Sequence, residues 1–69
     1  MELHWEDGFT LKVRVDDGAA VISANRDGLR SLASQLLSLA EEMPGSHIHY
    51  DEWNSLEEGS AELIVEKTE

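Results

Sequence analysis

The residues whose types could do chemistry concentrate in the last third of the sequence. His47, His49 and Asp51 alternate along the chain, so on a β-strand they would share one face, about 6.5 Å apart in succession. Two imidazoles and a carboxylate can ligate zinc or another transition metal. Alternation alone produces the same pattern, and a solvated strand face or a partner contact explains it more simply. The three residues are therefore weak candidates for a metal site.

The sequence contains no catalytic motif. A glycine-rich phosphate loop, a nucleophile elbow and an H-E-x-x-H helix are all absent. The lack of cysteine excludes thiol catalysis and thiolate-bound zinc. Adjacent acids such as Asp51 and Glu52 point to opposite faces of a strand, which makes them poor acid–base pairs. We therefore predict a protein that is not an enzyme and holds no cofactor.

Charge is the strongest compositional signal. Fifteen acidic and five basic residues give a net charge of −10 in 69 residues. Residues 1–30 hold six acids and four bases, a net of −2, whereas residues 31–69 hold nine acids and one base, a net of −8. Such a surface repels nucleic acid and anionic membranes and attracts a basic protein. Solubility alone also explains an acidic composition.

Two features of the acidic half suggest a protein-binding surface. Trp53 lies among acidic and polar neighbours, where it could anchor a partner or else close the edge of the core. Glu41 and Glu42 lie at the predicted carboxyl end of a helix, where acids are mildly unfavourable, so they are candidates for another role or are simply solvated.

The elements that must position these residues follow from hydrophobic periodicity. Alternating patterns predict five strands, at about 2–5, 9–15, 19–24, 47–52 and 60–67. Helical spacing predicts an amphipathic helix of about 18 residues, capped by Asn25 and stopped at Met43-Pro44-Gly45. The predicted fold is one α+β domain over residues 1–69. It consists of a mostly antiparallel five-stranded sheet with the helix on one face, in the order β-β-β-α-β-β.

The hairpin registers follow from which side chains would be buried. Three-residue loops pair Trp5 with Phe9 and Val15 with Ala19, and they place Phe9, Leu11, Val13 and Val15 in the core. The pairing of Val15 with Ala19 is less certain from the pattern than that of Trp5 with Phe9, because Ala20 and Ile22 could also face inward. The predicted spatial order of the strands is 1-2-3-5-4, and the alternative places the last hairpin beside the first strand.

Two segments of the chain resemble a known family. They are Ser23-Ala-Asn-Arg-Asp-Gly-Leu-Arg-Ser-Leu-Ala33 and the run from His47 to Lys67, whose most specific part is His-Ile-His-Tyr-Asp-Glu-Trp-Asn-Ser-Leu-Glu-Glu-Gly-Ser. Over about residues 20–67 the chain resembles small bacterial immunity proteins of polymorphic toxin systems, immunity protein family thirty-two. The resemblance implies a cytoplasmic antidote that binds and neutralises a cognate toxin, and the acidic charge fits a basic toxin such as a nuclease. If the resemblance holds, the predicted partner-binding residues are Glu41, Glu42, His47, His49, Asp51, Glu52, Trp53, Glu57 and Glu58.

Other function classes stay open beside this one. The chain could be a small regulatory or structural module, for example a homodimer, or a metal- or ligand-binding domain that uses His47, His49 and Asp51. No basic-plus-apolar leader is present, and the apolar runs fall far short of the ~20 residues of a membrane span. The cytoplasm is therefore the predicted location.

Overall fold

The computed structural model describes all residues from 1 to 69. It contains four strands and one helix: β1 (Leu11–Asp16), β2 (Ala19–Ala24), α1 (Arg26–Ala40), β3 (His47–Tyr50) and β4 (Leu63–Glu66). The strands form two separate antiparallel sheets of two strands each, β1-β2 and β3-β4. The combination of helix and strands is α+β, but the prediction of one five-stranded sheet is wrong.

The β1–β2 hairpin turns through two residues. Asp17 and Gly18 both have positive φ, at 51° and 83°, and Asp16 faces Ala19 across the hairpin. Two left-handed residues make the tight turn that matches the natural twist of paired strands. The predicted three-residue loop, which paired Val15 with Ala19, is therefore wrong. Val15 is 68% exposed and does not belong to the core.

No strand forms at residues 2–5, because the edge of β1 beside which such a strand would lie is already hydrogen-bonded to another segment. The amide of Glu57 donates to the carbonyl of Leu11 (2.9 Å), and the amide of Ala61 donates to the carbonyl of Val13 (2.8 Å). Residues 57–61 thus occupy the free edge of β1 that an N-terminal strand would need. Only Leu63–Glu66 of the predicted last strand remains regular, and it pairs with β3 as expected.

The N-terminal segment instead attaches to the buried side of α1. Ser31 Oγ accepts from the amide of Glu6 (2.8 Å), and Gln35 Nε2 donates to the carbonyl of His4 (2.9 Å). Ser31 and Gln35 are each only 1% exposed. The helix therefore turns a partly polar side towards the core, because that side must satisfy backbone groups of the N-terminal segment.

Helix α1 begins where the sequence predicts and ends earlier. Asn25 is the N-cap, and its Oδ1 accepts from the amide of Gly28 (2.8 Å). The helix ends at Ala40, three residues before Met43. Lys67 Nζ donates to the carbonyls of Ala40 and Glu42 (both 2.7 Å), which satisfies groups left free at the helix end. No helix of the structure is long and apolar enough to cross a membrane.

The core lies between α1 and the two hairpins. Its members come from both sheets, the helix and one loop; they are Leu11, Val13, Leu32, Leu39, Ile48, Tyr50 and Leu56. Trp5 and Phe9 pack against it with their rings stacked, 4.4 Å between centroids. Tyr50 is fully buried, and Leu56 reaches the core from the segment between β3 and β4.

Candidate protein-binding site

The loop that follows β3 is built around Asp51. The carbonyl of Asp51 accepts from the amides of Asn54, Ser55 and Leu56, at 3.3, 3.0 and 2.8 Å. Its carboxylate accepts from the amides of Trp53 (2.9 Å) and Asn54 (3.1 Å). An aspartate that bonds the backbone two residues ahead is a common device for closing a turn. These contacts fix the backbone on both sides of Trp53.

Three further contacts close the loop from Asp51 to Gly59. Leu56 is buried in the core and anchors the middle of the loop. Asn54 Nδ2 donates to the carbonyl of His49 (3.0 Å). Glu52 Oε2 accepts from the amide of Gly59 (2.6 Å), which joins the two ends. The loop is therefore a bonded unit with its own anchor in the core.

Trp53 projects from this loop into solvent. Its residue surface is 95% exposed, so the alternative that it closes the edge of the core is wrong. With Glu52 and Glu58 it lines a shallow groove of about 240 Å³. An exposed indole between two carboxylates offers an apolar surface and negative charge at the same place.

The carboxylates of this loop form no ion pair with a lysine or arginine, although Lys12 Nζ lies close to Gly59 at the end of the loop. The two close ion pairs are His4–Glu6 and His49–Glu62, at 3.8 and 3.5 Å, and both rely on a histidine. None of the five lysine and arginine side chains pairs with a carboxylate. The carboxylates of Glu57 and Glu58 are thus available to an external partner, whereas those of Asp51 and Glu52 already accept hydrogen bonds from loop amides.

The histidines of the alternating motif lie on the exposed side of β3. The rings of His47 and His49 meet edge to face, with centroids 4.9 Å apart. The Asp51 carboxylate does not join them, because it is turned into the loop amides. No group of three His, Cys, Asp or Glu residues is placed to hold a metal ion. The ligand set suggested by the spacing is therefore not assembled.

The remaining predicted residues form a second group. Glu41 ends α1 as its C-cap, and Glu42 and His47 line a separate open groove of about 590 Å³ together with Met1 and residues 43–46. His47 begins β3, whereas Asp51 follows its last residue. The structure thus divides the predicted surface between the two ends of β3, with Trp53 and Glu58 at one end and Glu42 at the other.

The chain matches the family model described as Immunity protein 32 over residues 20–68. It belongs to the Immunity protein 32 family. The family assignment made from the sequence is confirmed. Comparisons with curated proteins and with solved structures found no match. The region shared with Immunity protein 32 contains α1, β3, β4 and the whole Trp53 loop, whereas β1 lies outside it.

Two residues that shape this loop were not singled out from the sequence. Asn54 braces the turn from within, and Leu56 fixes it to the core. A signal for both was present: Asp51 and Asn54 are turn-forming residues at close spacing, and Leu56 is an isolated apolar residue among acids. In this member of the Immunity protein 32 family, the pattern marks a closed loop and not an irregular linker.

Proposed function

We propose that this protein is an immunity protein that binds and neutralises a cognate toxin through the loop from Asp51 to Gly59. Membership of the Immunity protein 32 family supports the role. The location rests on Trp53, which is 95% exposed on a loop closed by hydrogen bonds. A side chain held on an ordered loop loses less conformational entropy on binding. Tryptophan is also the residue type most enriched among the residues that dominate binding energy.

The groove beside Trp53 fits a cationic side chain of the toxin. A lysine or arginine could lie against the indole face while its charge meets Glu52 and Glu58. The wider negative charge of the protein would raise the rate of encounter with a basic partner. A basic nuclease presents its cations to nucleic acid, so an acidic loop seated on them would displace the substrate. Binding alone accounts for this protection, without catalysis.

The second group of predicted residues would extend the same contact. Glu41, Glu42, His47 and His49 lie along or beyond β3, and four strand residues span only about 13 Å. A standard interface covers about 800 Å² of each partner, enough to include both ends of this strand. In this proposal Trp53 and Glu58 form the centre, and Glu42 and His47 lie towards the rim. The cytoplasm is the proposed site of action, as the resemblance to cytoplasmic antidotes implies.

The charge mechanism is tested by the salt dependence of binding. A toxin captured with this protein from the native host is purified as an inactive variant and titrated at about 50 and 200 mM salt, because the higher salt concentration shortens the range over which surface charges interact. We expect weaker binding at the higher salt concentration. Glu58→Gln should reduce this salt dependence more than Glu2→Gln, which removes the same charge from the N-terminal segment. Salt-insensitive binding, or equal effects of the two variants, counts against the mechanism.

A homodimer, which the sequence leaves open, would need a different surface, because the Trp53 loop presents like charges to a second copy.

A further inference from the structure

Helix α1 carries apolar side chains on a side that is largely exposed to solvent. The residues buried against the core are Gly28, Ser31, Leu32, Gln35 and Leu39. A second row follows the helical spacing i, i+4, i+7, i+8 and i+11 and is exposed. We call it the outer helix face; its members are Leu29, Ala33, Leu36, Leu37 and Ala40. The leucines that the periodicity assigns to the core therefore mostly face solvent.

The exposure of this face is large. Leu29 is 53% exposed and Leu37 is 72% exposed. The apolar residues of α1 form one stripe, but the structure buries only the part of it that carries Leu32 and Leu39, and leaves the rest exposed. Contiguous exposed apolar surface of this kind commonly marks an interaction site. The two small hairpins cover one side of α1 and leave the other uncovered.

We propose that the outer helix face binds a second copy of this chain, with the two helices antiparallel about a twofold axis. The pattern of large and small residues fits this partner. When the axis lies between Ser34 and Gln35, Leu29 of one copy faces Ala40 of the other, and Ala33 faces Leu36. Leu29 and Leu36 then each meet an alanine, which lets the two helices approach closely along the middle of the face, while Leu37 lies at its edge. A twofold interface requires such self-complementarity.

The charges around the face fit the same arrangement. Arg26 and Arg30 flank its beginning, and Glu41 lies just beyond its end. None of the three takes part in an ion pair within the chain. In the antiparallel pair, Glu41 of one copy lies level with Gly28 of the other, between the two arginines. A parallel pair would place Arg30 against Arg30, so the charges favour the antiparallel orientation.

The acidity of the protein does not oppose contact at this face. Helix α1 contains two arginines and one aspartate, and residues 28–40 contain no acid. The acidic loop around Trp53 belongs to a different surface, and Glu41 is the one residue shared between the proposed dimer contact and the outer part of the proposed toxin contact. The centre of the toxin contact is therefore separate from the dimer face.

Sedimentation equilibrium of the full chain at about 1–200 μM tests whether the dimer forms. We expect a concentration-dependent dimer. Leu29→Gln together with Leu37→Gln should weaken it about tenfold or more, because these residues lie in the buried contact. Ile64→Gln is the matched control, since Ile64 on β4 is 52% exposed and should leave the dimer unchanged. Circular dichroism confirms that each variant is folded. A monomer at every concentration, or equal effects of the helix and control variants, overturns the proposal.

A charge exchange tests the antiparallel orientation. One variant carries Arg26→Glu and Arg30→Glu, and the other carries Glu41→Arg. Each alone should associate more weakly than the unaltered chain, because like charges meet at both ends of the face. An equimolar mixture should form a heterodimer, because both ends then join opposite charges. A mixture that remains as weakly associated as its components excludes the antiparallel pair.

Discussion

The hydroxyl of Tyr50 donates a 2.8 Å hydrogen bond to Oε1 of Gln35, where β3 lies against the buried side of α1. The other end of the same amide donates to the carbonyl of His4 (2.9 Å). One glutamine therefore joins β3, the helix and the N-terminal segment. Because both side chains are almost fully buried, each needs the other to satisfy its polar group.

Removal of the Tyr50 hydroxyl should destabilise the protein. Tyr50→Phe leaves Oε1 of Gln35 buried without a donor, at a cost of about 1–3 kcal/mol in the free energy of unfolding. Urea denaturation measures the change. Gln35→Leu and the double variant complete a cycle, in which the two effects should be clearly non-additive because the residues share one bond. Additive effects would show that the bond contributes little.

Alkaline pH should weaken the fold through the same residue. Burial raises the pKa of the Tyr50 hydroxyl above its ordinary value, because the phenolate is poorly solvated in the core. Below the ordinary pKa of about 10 both states hold the proton, and its contribution to stability is complete. As the pH rises through the folded pKa this contribution is lost. Tyr50 is the only tyrosine, so phenolate absorbance titrates it directly.

The titration has a simple control. In denaturant the tyrosine should ionise at a lower pH than in the folded protein, and Tyr50→Phe should show no phenolate absorbance. The fall in stability above about pH 10 should also be smaller in Tyr50→Phe than in the unaltered chain. Identical titration curves in the folded and denatured states would contradict the buried environment of this group.

Gly28 should not tolerate alanine. A Cβ at this position would lie 2.0 Å from the carbonyl oxygen of Thr10, which is backbone and cannot move alone. Alanine is favoured over glycine within helices by about 1 kcal/mol, yet we expect Gly28→Ala to lower the free energy of unfolding by about 2 kcal/mol or more. Ser34→Ala, at an exposed position of the same helix, should be neutral or stabilising. A stabilising Gly28→Ala would disprove the close approach.

Features of the fold that depend on local spacing could be predicted from the sequence, whereas contacts between distant segments could not. The alternation of Leu11 with Val13, the Asn25 cap and the Trp53 loop could all be predicted, because they depend on local spacing. The edge of β1 could not, since residues 57–61 reach it from far along the chain. The hydrogen bonds from Glu57 and Ala61 leave β1 no free edge for an N-terminal strand. Local spacing also does not predict that β3 and β4 form a sheet of their own.

The buried side of α1 also depends on contacts between distant segments. Hydrophobic periodicity predicts that the leucine-rich side of α1 is buried, whereas the structure buries Ser31 and Gln35. Their burial depends on backbone groups of Glu6 and His4, some 25–31 residues away in sequence. More of the candidate site could be predicted, because Trp53 and the acidic residues near it stand out in the sequence. Their division between two grooves depends on the tertiary structure and could not be predicted.

Asp51 should act as a positioning residue for Trp53. Asp51→Ala removes the acceptor for two loop amides, so the backbone at residues 52–55 should become more mobile, whereas Asp51→Asn keeps an oxygen acceptor and should preserve the order. NMR order parameters of these amides measure the difference. If Asp51→Ala leaves the loop as ordered as Asp51→Asn does, the carboxylate is not what holds Trp53 in place.

The measurement that tests the proposed function most directly is calorimetric titration of the cognate toxin with the Trp53→Ala variant. Truncation of a central anchor typically costs 2 kcal/mol or more, so the dissociation constant should rise by about 30-fold or more. Val15→Ala is the control, because Val15 is also strongly exposed but lies on the β1–β2 hairpin, and its affinity should be unchanged. An unaltered affinity for Trp53→Ala, in a folded protein that still binds the toxin, would contradict the account.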